Sequence, residues 1–380
     1  MGYTVFSARE GTMSMTPIPP GLKADKLLTI EAARGIAALL VAFYHGALVI
    51  ELTWPRQGAP FGGLFGFGHA GVPFFFVLSG YINYYIHHAD FGQPSRLGLF
   101  AWKRFARIYP LFLIVMVPIT AKHWLAGTFA WDYFAKSLLL LPQGRLPMLI
   151  PSWTLVHEAL FYLLFGLAIW KPGLGRLILL AWAVLFCTAS MFGLDLPPGL
   201  PGDTIRTLAS PYNLLFLLGI AVAWLLQHCR IPVPQLLALA AGVAFVATGL
   251  AENAGSFKSQ TGYGILPILL YGLSSAGIIT GLVAAETVGT LRVGRTGGLL
   301  GALSYPLYLT HGIVLSIVAD MAHKFRYAGP GWELLVGAVA VACVAALLVH
   351  RYVEAPVTTR LKRLWARRHA VPVEAVRRPA

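Results

Sequence analysis

Apolar residues come in runs of roughly twenty along most of this chain, separated by short segments that hold nearly all of its charge. A helix needs about 20 apolar residues to cross a bilayer. Ten runs come near that length: 28–50, 71–88, 106–125, 153–170, 176–193, 211–228, 234–251, 264–286, 299–319 and 332–350. Lys171, Pro172, Gly173 and Gly175 make a turn between the fourth and fifth. The segment 131–142 is too short to span and reads as an interfacial or re-entrant helix. The pattern predicts an all-α fold, a polytopic transmembrane bundle of about ten spans.

Composition strengthens this picture. The 380 residues are 57% hydrophobic and 12% charged, against about 25% charged in an average soluble domain. Lipid is the solvent that fits such a chain. Residues 1–27 are mixed and proline-rich (Pro17, Pro19, Pro20) and lack the three-part pattern of a signal peptide, so they read as a cytoplasmic tail. Met13 and Met15 leave the start codon open. The expected domain covers 28–356, followed by a basic cytoplasmic tail over 357–380.

The net charge of +14 raises nucleic-acid binding and then excludes it, because the basic residues fall between apolar runs and in one tail. Placing the N-terminus inside puts 20 Lys and Arg on the cytoplasmic side and eight on the other, with Arg34 left inside a span. That bias predicts both termini in the cytoplasm. Cys187, Cys229 and Cys343 are far apart and form no C-x-x-C pair. They read as buried packing residues, not as a disulfide framework or a metal site. No internal repeat supports an inverted-repeat transporter.

The first span carries the unexpected chemistry. Arg34 and His45 are 11 residues apart, which is about three turns, so both side chains share one face. Ala33, Gly35, Ala37, Ala38, Ala42 and Gly46 surround them with small side chains that admit a close neighbour. Each has a plain structural reading: Arg34 pairs with Glu31 or snorkels, and His45 hydrogen-bonds within the bundle. Ionisable groups in lipid are costly, however, and two on one stripe favour function. Ser79 and Gly80 follow an aromatic run in the second span and alone read as a packing notch. Arg104 and Arg107 are helix neighbours before the third span; they read as charge anchoring or as a phosphate site. Glu158 lies about two turns below the outer end of the fourth span and needs a partner, a raised pKa or water; His45, at similar depth, could meet it. Ser304, Tyr305, Tyr308 and His311 place polar groups in the ninth span, and Glu354 with Pro356 reads as an ion pair and helix stop.

Six segments occur together in order: Arg34-x10-His45, FFFVLSG at 74–80, KRFARIYP at 103–110, SWTLVHEALFY at 152–162, LGALSYPLYLTH at 300–311 and RYVEAP at 351–356. Together they resemble the acyltransferase-3 family of membrane acyltransferases. The stretch HADFGQPSRLGLFAWKRFARIYP also resembles the family's exopolysaccharide-modifying branch. Thr154 stands where the SWS pattern has serine, and keeps the hydroxyl.

The resemblance implies a bacterial inner-membrane enzyme. Its donor would be cytoplasmic acyl-CoA, usually acetyl-CoA, and its acceptor a carbohydrate hydroxyl at or beyond the outer face. On that footing Arg34, Ser79, Arg104 and Arg107 are the expected donor-binding residues, and His45, Glu158 and Arg34 the expected catalytic ones. His45 would act as general base or become acylated itself, Glu158 would orient it, and Arg34 or Ser79 would stabilise developing negative charge. Two other classes remain open on the residues alone: a flippase for lipid-linked saccharides, and a scaffold subunit of a polysaccharide synthase.

Overall fold

A bilayer leaves backbone N–H and C=O groups no water, so apolar runs of this length fold as helices. The computed structural model describes residues 27–192, 200–259, 262–263 and 265–369. The helices are α1 Leu28–Thr53, α2 Gly71–His87, α3 Pro94–Leu125, α4 Trp131–Leu138, α5 Trp153–Trp170, α6 Pro172–Phe192, α7 Leu200–Leu208, α8 Tyr212–His228, α9 Pro234–Asn253, α10 Ile265–Thr287, α11 Arg295–Lys324, α12 Gly331–Val349 and α13 Ala355–His369. Among the described residues the strand pairing is confined to Lys258–Ser259 against Gly262–Tyr263. Among the described residues eight helices are long and apolar enough to cross a membrane, and α7 with α8, bent by 45°, makes a ninth if the pair is counted as one span. The tail expected over 1–27 lies, except for Leu27, outside the described residues, as does the chain beyond 369.

Close contacts fix the helix directions. Gly35 of α1 backs onto Leu300 of α11, and Gly46 onto Leu315, so the two helices run parallel. A Cβ on Gly35 would meet the Leu300 carbonyl oxygen at 2.7 Å. Phe76 of α2 touches Tyr212 and Phe216 of α8, while His88 meets Gln227, so α2 and α8 are parallel too. Arg104 of α3 reaches Tyr162 of α5, and Phe100 reaches Phe165, so α3 opposes α5. The start of α1 is tied to the end of α10, where Glu286 accepts hydrogen bonds from the backbone N–H groups of Leu28 and Thr29 at 2.9 and 3.1 Å.

Three expectations need correction. Helix α3 begins at Pro94 rather than near 106, because proline suits a first helical turn, so Arg104 and Arg107 stand well inside a helix. Pro356 does not stop the last helix. A π-turn over His350–Glu354 widens the backbone, Pro356 falls in the first turn of α13 where no N–H is needed, and the chain stays helical to His369. The ion pair expected there does form, His350 Nδ1 to Glu354 Oε2 at 2.7 Å. Cys229 is exposed rather than buried, Cys343 is half-buried and packs against the core between α1, α11 and α12, and the Cys187 side chain lies outside the described residues.

Candidate active site

Arg34 is drawn into the bundle because α11 offers glycine opposite its turn. Gly301 leaves room for Glu31, whose two carboxylate oxygens each lie 3.1 Å from Arg34 Nη1. The guanidinium is therefore buried and paired rather than snorkelling. It opens onto a cavity of about 280 Å³ between α1, α2, α3, α5 and α11. Ser79, Arg104, Arg107 and Glu158 line the same cavity, so five of the six expected site residues meet there.

Glu158 is held from two sides. Ser79 donates its Oγ hydrogen to Glu158 Oε1 at 3.1 Å, and the Tyr162 hydroxyl donates to the same oxygen. Asn83, one turn along α2, in turn donates to the Ser79 carbonyl at 2.7 Å. Arg104 lies 5.3 Å from the ring centres of both Phe100 and Tyr162. Among the described residues neither Arg104 nor Arg107 has a carboxylate within salt-bridge distance. With Arg34, Arg104 and Arg107 against Glu31 and Glu158, the walls carry one excess positive charge. Unpaired guanidinium groups among apolar side chains are expensive unless an anion offsets them.

His45 is the sixth expected residue, and it does not line this cavity or meet Glu158. The two are expected at similar depth, but Glu158 is turned to Ser79 and Tyr162 while His45 faces α11, so they do not meet. The partner of His45 is His311, with Nε2 of His311 3.2 Å from Nδ1 of His45. Tyr308, one turn before His311, lines the cavity, and its hydroxyl meets Thr154 Oγ1 at 2.9 Å. The two histidines thus stand one helical turn beyond the cavity, away from the arginines. His157, beside Glu158, points elsewhere and hydrogen-bonds Asn213 at 3.0 Å.

In the sequence His311 and Tyr308 stand out only as polar residues in a span, and nothing there signals the pairing with His45. A family model described as an acyltransferase domain matches residues 27–350, most of the chain and every residue of this site. The chain belongs to the acyltransferase-3 family. The acyltransferase is also similar to the exopolysaccharide production protein ExoZ of Rhizobium meliloti (strain 1021), with 28% identity over 314 residues, 78% of this chain and 91% of that protein. No solved structure matches it.

Proposed function

We propose that this membrane acyltransferase moves an acyl group, in the first instance acetyl, from cytoplasmic acyl-CoA to a hydroxyl of an exported polysaccharide at the bacterial inner membrane. The observation that carries this reading is the cavity in which Arg104 and Arg107 stand without a carboxylate partner among the described residues, on the side where the basic loops lie. Guanidinium forks suit phosphate and the polarised thioester oxygen alike. The similarity to a protein of exopolysaccharide production supports a carbohydrate acceptor.

The chemistry follows from the side chains. A neutral His45 takes the proton of the acceptor hydroxyl at Nε2, and the oxygen attacks the thioester carbonyl carbon. The oxyanion that forms needs a fixed donor, and the Thr154 and Tyr308 hydroxyls are the cavity groups on the histidine side, whereas Arg34 stands three turns from His45 along α1 and is held by Glu31. Collapse breaks the C–S bond, and the coenzyme thiolate leaves and takes up a proton. Glu158 keeps Ser79 and Tyr162 in place instead of orienting His45. The flippase reading gains no observation of its own.

The test is purified protein in liposomes with radiolabelled acetyl-CoA and de-esterified surface polysaccharide from the host. Label in the polysaccharide, lost with His45→Ala, is expected. Full transfer by His45→Ala would overturn the assignment of the base, and no transfer by the wild type would overturn the reading.

A further inference from the structure

A second cavity, of about 540 Å³, opens at the end of the bundle where α2, α5 and α8 begin. The loop before α5, the first turn of α5 and helix α7 form its walls. Its chemistry differs from that of the first. Gln143, Arg145, Asp203 and Arg206 supply planar polar groups, and Trp153 supplies a large flat ring.

Asp203 is the decisive residue. It is only 5% exposed. Its Oδ1 accepts from Arg206 Nη1 at 3.2 Å, while Oδ2 has no hydrogen bond among the described residues. Gly144 faces the carboxylate, and a Cβ there would press to 3.3 Å from Oδ1. A carboxylate so largely buried, with one oxygen left free to accept, suits a ligand that donates to it. Oε1 of Gln143 is a buried acceptor without a partner among the described residues. Arg145 lies flat over the Tyr133 ring at 3.6 Å, which fixes its fork at the rim.

The two cavities share the first turn of α5. Thr154, Leu155 and Glu158 face the first, and Trp153, Val156 and His157 the second. Phe76 is the wall between them, lining the first cavity and packing on the rings of Trp153 and His157.

We infer that the second cavity is the acceptor site, binding one or two sugar units of the polysaccharide. The inference rests on the carbohydrate acceptor proposed above. Vicinal hydroxyls donate to Asp203 Oδ2 and Gln143 Oε1 and accept from the forks of Arg145 and Arg206. The apolar face of a pyranose ring stacks on Trp153. The volume lies within the range of small-molecule sites and accommodates such a unit. His45 lines neither cavity, so the sugar held here is the recognition unit, and the hydroxyl that reacts belongs to the neighbouring unit that extends toward His45.

The test compares Asp203→Asn and Arg145→Gln with wild type at saturating radiolabelled acetyl-CoA. One arm uses oligosaccharides cut from the host's surface polysaccharide after mild alkali, and a parallel arm uses lipid-linked saccharide extracted from host membranes. The arm that the wild type turns over identifies the acceptor form. In that arm the acceptor KM rises about tenfold or more in each variant, the loss expected for an unpaired buried polar group. The KM for acetyl-CoA stays within about twofold, a split that general damage to the fold would not give. Arg145 is 55% exposed, so its replacement tests the site even where Asp203→Asn folds poorly. An unchanged acceptor KM in Arg145→Gln overturns the acceptor site alone. Absence of transfer by the wild type in both arms overturns the carbohydrate reading, and this inference with it.

Discussion

His45 Nδ1 and His311 Nε2 lie 3.2 Å apart across two parallel helices, and the backbone decides which nitrogens carry protons. His45 Nδ1 faces the Val41 carbonyl at 3.0 Å, and His311 Nδ1 faces the Leu307 carbonyl at 3.1 Å. A carbonyl only accepts, so in the neutral rings both Nδ1 atoms are protonated and both Nε2 atoms are bare. His45 therefore presents Nε2 as a base, and His311 Nε2 accepts from His45 Nδ1 while the charge on His45 builds. Steady-state kinetics check this division. His45→Ala should lower kcat by about 10²–10⁴-fold, the usual worth of a general base. His311→Ala should lower it less, by about 10–100-fold, with the KM for acetyl-CoA nearly unchanged, since orientation is lost and not binding. A rise in that KM alone would refute the role given to His311.

Glu158 has a different task, and its replacement separates charge from hydrogen bonding. Glutamine keeps an oxygen to accept from Ser79 and Tyr162. Alanine leaves both hydroxyls without their acceptor. Thermal unfolding in detergent should show Glu158→Ala destabilised by about 1–3 kcal/mol, the cost of stranding buried polar groups. Glu158→Gln should fall closer to wild type. Equal destabilisation of the two variants would mean that charge, not the hydrogen bonds to Ser79 and Tyr162, is what the fold requires.

The architecture was legible because lipid forces apolar runs into helices, so counting them gave the fold class without any knowledge of packing. Arg34, Ser79, Arg104, Arg107 and Glu158 were legible for a related reason: polar groups in such runs have few destinations except one another. The neighbour that each polar side chain meets was not legible, because the way helices pack leaves no mark on the periodicity of any one of them. His45 meets His311, 266 positions away in the sequence, and not Glu158. The acceptor cavity was missed because Asp203 and Arg206 sit on a short polar helix before α8, outside every apolar run.

The contact between α2 and α8 carries Ser79 and leaves little tolerance. Gly80 lies against the Phe216 carbonyl and Gly219 against the Val77 carbonyl, so each glycine admits the other helix's backbone. Both contacts are with backbone, which does not swing aside as a side chain does. Gly80→Ala and Gly219→Ala should each push the helices apart and lower stability by more than about 2 kcal/mol, overpacking being costly in a well-filled interface. Acyl transfer should fall along with stability, because Ser79 moves away from Glu158. Gly173→Ala, with nothing within 4 Å of its added Cβ, is the control and should unfold like wild type.

The donor site is open to dissection by shortening the donor. Acetyl-CoA carries phosphates at its nucleotide end, whereas S-acetylpantetheine keeps only the arm and the thioester. If Arg104 and Arg107 hold phosphate, Arg107→Gln should raise the KM for acetyl-CoA about tenfold or more, the cost of one charge-assisted hydrogen bond. The same variant should handle S-acetylpantetheine about as well as wild type does, because the phosphates are gone from both sides of the comparison. Arg107→Lys should recover only part of the loss, since an ammonium keeps the charge but not the fork. Arg34→Gln should behave differently. Its guanidinium is buried and paired with Glu31, so the loss should fall on kcat with both donors. An equal penalty for Arg107→Gln with the two donors would move that residue from the phosphates to the thioester.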